Sequence, residues 1–311
     1  MRSKLLFPWA VFLTAALACG AFGRGTSTLP APTTPPSSPS STPEAQDSAI
    51  RHGSVQQDVT YCTVDGIDLK MDVYYPKADT KPTPLAVYVH GGGWTEGDKA
   101  DGTGLVDAPA LLEAGFTVAS LDYRLAPQYK FPAMIEDVKC GIRALRAHAA
   151  DYGIDPDKVG AWGTSAGGHL VNLLGTTDAS AGFDVGQYLN QSSRVQAVVD
   201  MFGPADLTIT FSGGYHPVRD TVFGGFDPAE ASPITYITED DPPFLILQGD
   251  IDQTVPLGQS QEFHDRLAAT GVDARLVVVK NGPHGLVSTT ESPSRAELTQ
   301  MIVAFFKEHL Q

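Results

Sequence analysis

The sequence predicts an α/β protein: a mostly parallel central sheet with helices on both faces. Two observations carry this. Beyond about residue 58, short β-type runs alternate with stretches of helical period, the order expected of strand-helix-strand units. One of those runs, Val159-Gly160-Ala161-Trp162, passes through Gly163-Thr164-Ser165-Ala166-Gly167 straight into the helix-like His169-Leu170-Val171-Asn172-Leu173-Leu174. Glycines two residues either side of Ser165 remove the Cβ atoms that would collide in so sharp a bend.

The elements follow in order. Residues 69–75 alternate like a half-buried strand, and Cys62 falls in a strand before it. Residues 85–90 and 116–122 are compact apolar runs, with helical spacing between them at 105–114. Pro132 opens a long helix that reaches about residue 148, with Met134, Val138, Ile142 and Leu145 on one face and Gly153 near its end. After the Ser165 turn and its helix, residues 195–202, 244–247 and 274–279 continue the strand series, and 262–269 and 296–310 supply helices. Residues 204–243 break the alternation with Gly, Pro and aromatics, including Phe211, Tyr215, His216, Phe223 and Phe226. That stretch reads as an insertion or lid over the crevice at the carboxyl ends of the strands, or as a structural excursion. No internal repeat is visible.

Composition divides the 311 residues into three parts. In residues 1–18, Arg2 and Lys4 precede an apolar run that ends Ala16-Leu17-Ala18, the pattern of a signal peptide. Cys19 follows directly and resembles the lipid-attachment site of a bacterial lipoprotein. The expectation is an exported protein, attached to a membrane through a lipidated Cys19 or freely secreted. Residues 19–54 are rich in Pro, Ser and Thr and nearly devoid of large apolar residues, so they cannot build a core and read as a tether. Residues 55–311 form the folded domain, and no later segment supplies the roughly 18 uninterrupted apolar residues of a membrane-spanning helix.

The 21 Lys plus Arg against 36 Asp plus Glu, a net charge of −15 with no basic cluster, argue against nucleic acid as a partner. With Cys19 set aside, Cys62 and Cys140 are an even pair in an exported chain, compatible with a disulfide or with two buried thiols. No Cys-x-x-Cys or His-rich spacing suggests a metal, and no cofactor is expected.

A serine on such a turn is a candidate nucleophile, which needs an imidazole to take its proton and a carboxylate to orient that imidazole. His284, in the turn Asn281-Gly282-Pro283-His284-Gly285 after the last predicted strand, is the best placed of eight histidines. The others fall in the linker (His52), on helices (His148, His169, His264, His309), at the head of a glycine run (His90) or in the insertion (His216). The acid belongs in the loop after residues 244–247, where Asp250 and Asp252 compete. The chain order Ser, Asp, His separates this set from the other convergent triads. An oxyanion needs preorganised donors. His90-Gly91-Gly92-Gly93-Trp94 follows a strand directly, and Ala166 adds the amide next to the serine.

His90-Gly91-Gly92-Gly93-Trp94, Asp122-Tyr123-Arg124-Leu125 and Gly163-Thr164-Ser165-Ala166-Gly167-Gly168-His169 together resemble the esterase branch of the α/β-hydrolase superfamily, near the hormone-sensitive-lipase-like and bacterial feruloyl or acetyl esterase groups. The resemblance covers about 58–310. It implies an α/β-hydrolase fold, a catalytic triad of Ser165, Asp252 and His284, and oxyanion donors Gly92, Gly93 and Ala166. There are two departures: many relatives carry Asp-Pro-Leu after the acid position, absent here, and Trp94 follows the glycines as in formamidase-like and feruloyl-type members, which leaves Gly91 or Trp94 as alternative donors. The expected activity is serine carboxylic-ester hydrolysis through an acyl-enzyme, on small short-chain or aryl esters or on acetyl or feruloyl groups of a polysaccharide. An aryl formamidase, a prolyl-oligopeptidase-like peptidase and a non-catalytic binding module are the alternatives.

Overall fold

The structure is a computed structural model that describes residues 53–77, 82–100, 102, 104–209 and 220–311. The expected signal peptide at 1–18, Cys19 and nearly all of the tether at 19–54 therefore lie outside the described residues, as do Phe211, Tyr215 and His216. No helix among the described residues is long and apolar enough to cross a membrane.

Eight strands form one sheet: β1 (Val55–Val64), β2 (Ile67–Tyr74), β3 (Thr83–Val89), β4 (Thr117–Leu121), β5 (Ile154–Thr164), β6 (Ala197–Met201), β7 (Phe244–Gly249) and β8 (Ala274–Val279). Their spatial order is β1-β2-β4-β3-β5-β6-β7-β8. β1 and β2 pair antiparallel through a two-residue turn whose Asp65 and Gly66 both have positive φ, the hairpin geometry that matches strand twist. β2 also runs antiparallel to β4, while β4-β3-β5-β6-β7-β8 are parallel throughout.

The parallel strands are apolar at consecutive positions because both faces are covered. Along β3, Leu85, Val87 and Val89 point into one core while Ala86 and Tyr88 point into the other, as the two-residue strand period requires. The first core is roofed by α2 (Ala133–Ala147), α4 (Ala166–Thr176) and α5 (Leu257–Thr270); the second is closed by α1 (Ala108–Glu113) and α6 (Arg295–Leu310). α6 starts on a capping box in which Ser294 and Glu297 satisfy each other's backbone amides.

Two elements differ from the pattern read in the sequence. The helical spacing at 105–114 is a 3-10 turn (Leu105–Asp107) leading into the short α1. The long helix ends at His148, as expected, and a separate turn α3 (Ala149–Tyr152) follows it and ends on Gly153 at φ 63°. α5 begins at Leu257, ahead of the expected 262, because its polar first turn is buried by specific bonds: Gln259 Oε1 accepts from the amides of Ala205 and Asp206, and Ser260 Oγ donates to Gln248 Oε1.

α2 is also buried on more than its apolar face. Lys139 donates to Thr177 O, Asp184 Oδ2 and Ser193 Oγ, and Arg143 pairs with Asp184, so the 178–194 loop is fastened over the helix by a buried ionic cluster. Burial works against ionised Asp184, but the ammonium and guanidinium beside it hold its pKa below the ordinary carboxylate value. In the 204–243 stretch, Ala205, Leu207, Val222, Phe223 and Ala231 belong to the core, so its described part is wall rather than loose lid.

Cys62 and Cys140 form a disulfide that ties β1 to α2 across 78 residues of sequence. A closed loop of that length removes unfolded-state entropy worth about 4 kcal/mol. A Cys62→Ser/Cys140→Ser variant is therefore expected to unfold at a clearly lower temperature in a calorimetric scan while keeping its turnover at 25 °C; an unchanged midpoint refutes the stabilising role.

Candidate active site

Ser165 stands between β5 and α4 at φ 53° and ψ −115°, a conformation a non-glycine residue holds only under constraint. The constraint is close backbone approach. A Cβ on Gly163 would lie 2.3 Å from Gly167 O, and one on Gly167 would lie 2.1 Å from Val89 O, so neither position accepts a side chain. The Ser165 amide donates to Met201 O at 2.9 Å and its carbonyl accepts from His169 N at 3.0 Å, which fixes the turn from both sides.

Asp252 and His284 arrive on neighbouring loops. Val279 ends β8, and the loop beyond it carries His284; the loop after β7 carries Asp252. The two are stitched together by Asp250 N donating to Val279 O and Ile251 N donating to Gly282 O. Within this frame His284 Nε2 lies 3.0 Å from Ser165 Oγ, and His284 Nδ1 lies 2.8 Å from Asp252 Oδ2. Asp250, the competing acid, is exposed and Asp252 is the aspartate that reaches the imidazole.

Asp252 accepts three further hydrogen bonds: from Gln248 Nε2 to Oδ2, and from the amides of Thr254 and Val255 to Oδ1. Burial favours its neutral form, but His284, by hydrogen bond and by charge, and those amides outweigh it and hold the pKa below the ordinary value. An ionised Asp252 requires the proton of neutral His284 on Nδ1, leaving Nε2 as an acceptor facing Ser165. The Phe202 ring packs edge-on against the imidazole at 4.8 Å.

The glycine run lies beside Ser165 along a cavity of about 800 Å³ whose wall includes His90, Gly91, Gly92, Gly93, Thr95, Glu96, Phe202 and Thr254, together with Ser165 and His284. Gly92 and Gly93 thus share the cavity with the serine. The Ala166 amide, at the first position of α4, has no partner within the helix. Trp94, which follows the run, sends its ring into the core, where Nε1 donates to His169 Nδ1 at 3.3 Å.

Sequence reasoning assigned no role to Tyr123, and the structure gives it one. Its hydroxyl donates to His90 O at 3.0 Å and its ring stacks on His90 at 4.2 Å, so it anchors the strand end from which the glycines spring. The next residue, Arg124, grips Asp137 on α2 through its backbone amide and Nε. The signal was the Asp-Tyr-Arg-Leu segment itself, whose partners are distant in sequence. His169 is structural: Nε2 donates to Ala231 O at 2.7 Å, and burial pushes its pKa down to about 4 against that bond. Among the described residues, Asp273, Glu308 and His309 approach a metal-ligand grouping, but Arg275 already bridges Asp273 and Glu308.

Residues 71–267 match the family model BD-FAE. The chain belongs to the BD-FAE family. The match includes the glycine run, Ser165 and Asp252 and stops short of His284. This BD-FAE chain is 33% identical over 201 residues to the probable carboxylic ester hydrolase LipM of Mycobacterium tuberculosis, an alignment covering 60% of this chain and 46% of LipM. It spans about half the length of the curated relatives it matches. Among solved structures it is similar to a truncated carbohydrate esterase from gut microbiota, at 28% identity and a TM-score of 0.73 over 84% of this chain and 98% of that one. It is also similar to esterase 2 of Thermogutta terrifontis in its form phosphoramylated by tabun, at 27% identity and a TM-score of 0.70 over 82% and 94% of the two chains. The BD-FAE domain has the α/β-hydrolase fold.

Directly behind the Ser165 turn, fully buried Asp200 on β6 accepts from Gly203 N at 2.9 Å and from Asn172 Nδ2 at 2.8 Å. Burial raises its pKa from 3.8 to about 7, against those two bonds. A folded pKa above the unfolded one means that the stability is fully present below about pH 4 and is lost as pH rises to about 7. That loss is on the order of 4 kcal/mol. Asp200→Asn is expected to flatten urea-denaturation stability over this window, and a variant profile parallel to the wild type would refute it.

Proposed function

We propose that this protein is a serine carboxylic-ester hydrolase working through an acyl-enzyme. The observation that carries the reading is the hydrogen-bonded series Ser165, His284, Asp252 at the wall of a cavity lined by the glycine run. Ser165 Oγ attacks the ester carbonyl while His284 Nε2 takes its proton. Asp252 stabilises the imidazolium that forms and keeps the ring in register. The amides of Gly92, Gly93 and Ala166 receive the oxyanion, and each such donor is worth about 100- to 1,000-fold in rate. Collapse breaks the bond to the alcohol, which leaves with the proton from His284. Water, deprotonated by the same imidazole, then attacks the acyl-enzyme and releases the acid and free Ser165.

The substrate we infer is a small short-chain or aryl ester, or an acetyl or feruloyl group carried on a polysaccharide. Thr95, Glu96 and Thr254 on the glycine-rich cavity wall support a hydroxyl-rich leaving group, and the similarity to a carbohydrate esterase agrees with it. We also read residues 1–18 as an export signal, Cys19 as a lipid-attachment site, 19–54 as a tether and 55–311 as the catalytic domain, with the protein at the cell surface or secreted. The charged and apolar pattern of the leader supports export, as does the Cys62–Cys140 disulfide, since such bonds persist in oxidising compartments.

Ser165→Ala is expected to lower kcat on p-nitrophenyl acetate by at least about 1,000-fold and to abolish labelling by an organophosphate. Retained turnover excludes the nucleophile assignment. Asp252→Asn is expected to fold normally and lose about 10,000-fold in kcat with little change in KM. A loss confined to KM argues against an orienting carboxylate.

A further inference from the structure

Among the described residues lining the cavity, Glu96 is the one Asp, Glu, Lys or Arg. Its place is set by the glycine run. Gly92 O accepts from the amides of Thr95 and Glu96 at 3.0 and 3.1 Å, a tight turn that folds residues 95 and 96 back over Gly92. Gly92 has φ 106°, and a Cβ there would meet Glu96 O at 2.0 Å and Glu96 Cγ at 3.3 Å. The Glu96 stem therefore runs beside one of the proposed oxyanion residues, and this exposed residue lines the cavity.

The nearest cation in sequence does not neutralise it. Lys99 Nζ lies 2.8 Å from Asp58, 3.6 Å from Asp72 and 3.9 Å from Asp122, and its backbone amide donates to Asp122 Oδ1. Asp98, also exposed, spends Oδ1 on the amide of Ala100. Glu96 thus gives the described cavity wall its one carboxylate, on a chain whose net charge is −15. A concave site lined by one sign of charge focuses that field on an arriving substrate.

We propose that Glu96 is a specificity residue that selects esters by charge: the cavity accepts neutral substrates, including esters of uncharged glycans, and discriminates against anionic ones such as esters of uronate-rich glycans. The inference rests on the hydrolase reading above and concerns the same site. A negative charge carried a few ångströms from the scissile carbonyl meets Glu96 across a cavity open to solvent, where two like charges cost about 3- to 10-fold in kcat/KM. Added salt screens that repulsion.

The test compares p-nitrophenyl valerate with p-nitrophenyl hemiglutarate, a neutral and an anionic ester of equal chain length. It runs on wild type, Glu96→Gln and Glu96→Lys at low ionic strength and again in 0.5 M NaCl, roughly the regime where the Debye length is shorter than the cavity. The expected result is an anionic-to-neutral ratio of kcat/KM that rises about 3- to 10-fold in Glu96→Gln, further in Glu96→Lys, and in wild type on adding salt. Acetylated xylan against acetylated homogalacturonan should order the same way. A ratio unmoved by either variant overturns charge selection while leaving the hydrolase reading in place. Absence of turnover on every ester by wild type overturns that reading and this inference with it.

Discussion

The structure depends on one steric constraint: the backbone at Ser165 turns from strand to helix so sharply that Gly163 lies against the Gly167 backbone and Gly167 against the end of β3, with no space for a Cβ at either. This forces the serine to φ 53° and brings its hydroxyl out of the sheet plane toward the loops. Such strain persists only where the surroundings over-determine it. Here they do, through Met201 O on the neighbouring strand, His169 N on the helix that follows, and the end of β3 packed against Gly167.

The parallel sheet converts that local bend into a site. Because β3, β5, β6, β7 and β8 all run the same way, their carboxyl ends deliver the glycine run, Ser165, Phe202, Asp252 and His284 to one edge. The supporting bonds are of two kinds. Backbone bonds hold the acid and base loops together, and buried side chains such as Tyr123, Gln248 and Asp200 brace the elements from behind. The bracing groups sit out of water, so each depends on its partners being in place.

The buried carboxylates show how environment separates chemically identical groups. Asp252 receives an imidazole and two loop amides and is held ionised, whereas Asp200 has two neutral donors, and burial pushes its pKa to about 7. Asp184 is held ionised by Lys139 and Arg143, which makes it a fastener for the loop over α2. Charge on this protein therefore serves orientation at Asp252, anchoring at Asp184 and, on our proposal, selection at Glu96.

Local rules acting over a few residues were enough to determine the fold class, the order of most strands and helices, and Ser165 with its flanking glycines, because period, turn chemistry and close packing across a bend are written in adjacent positions. His284 was legible for the same reason, as a histidine in a turn just after the last strand. Between Asp250 and Asp252 only family resemblance favoured the second, and the physical reason comes from tertiary structure, since two residues of loop separate an exposed carboxylate from a buried one that meets the imidazole. Tertiary structure alone joined Cys62 to Cys140, buried the polar first turn of α5 and the cationic side of α2, and gave Tyr123 its hold on the glycine run. Each of these rests on partners tens of residues away, and no local pattern encodes a distance that only the assembled sheet creates.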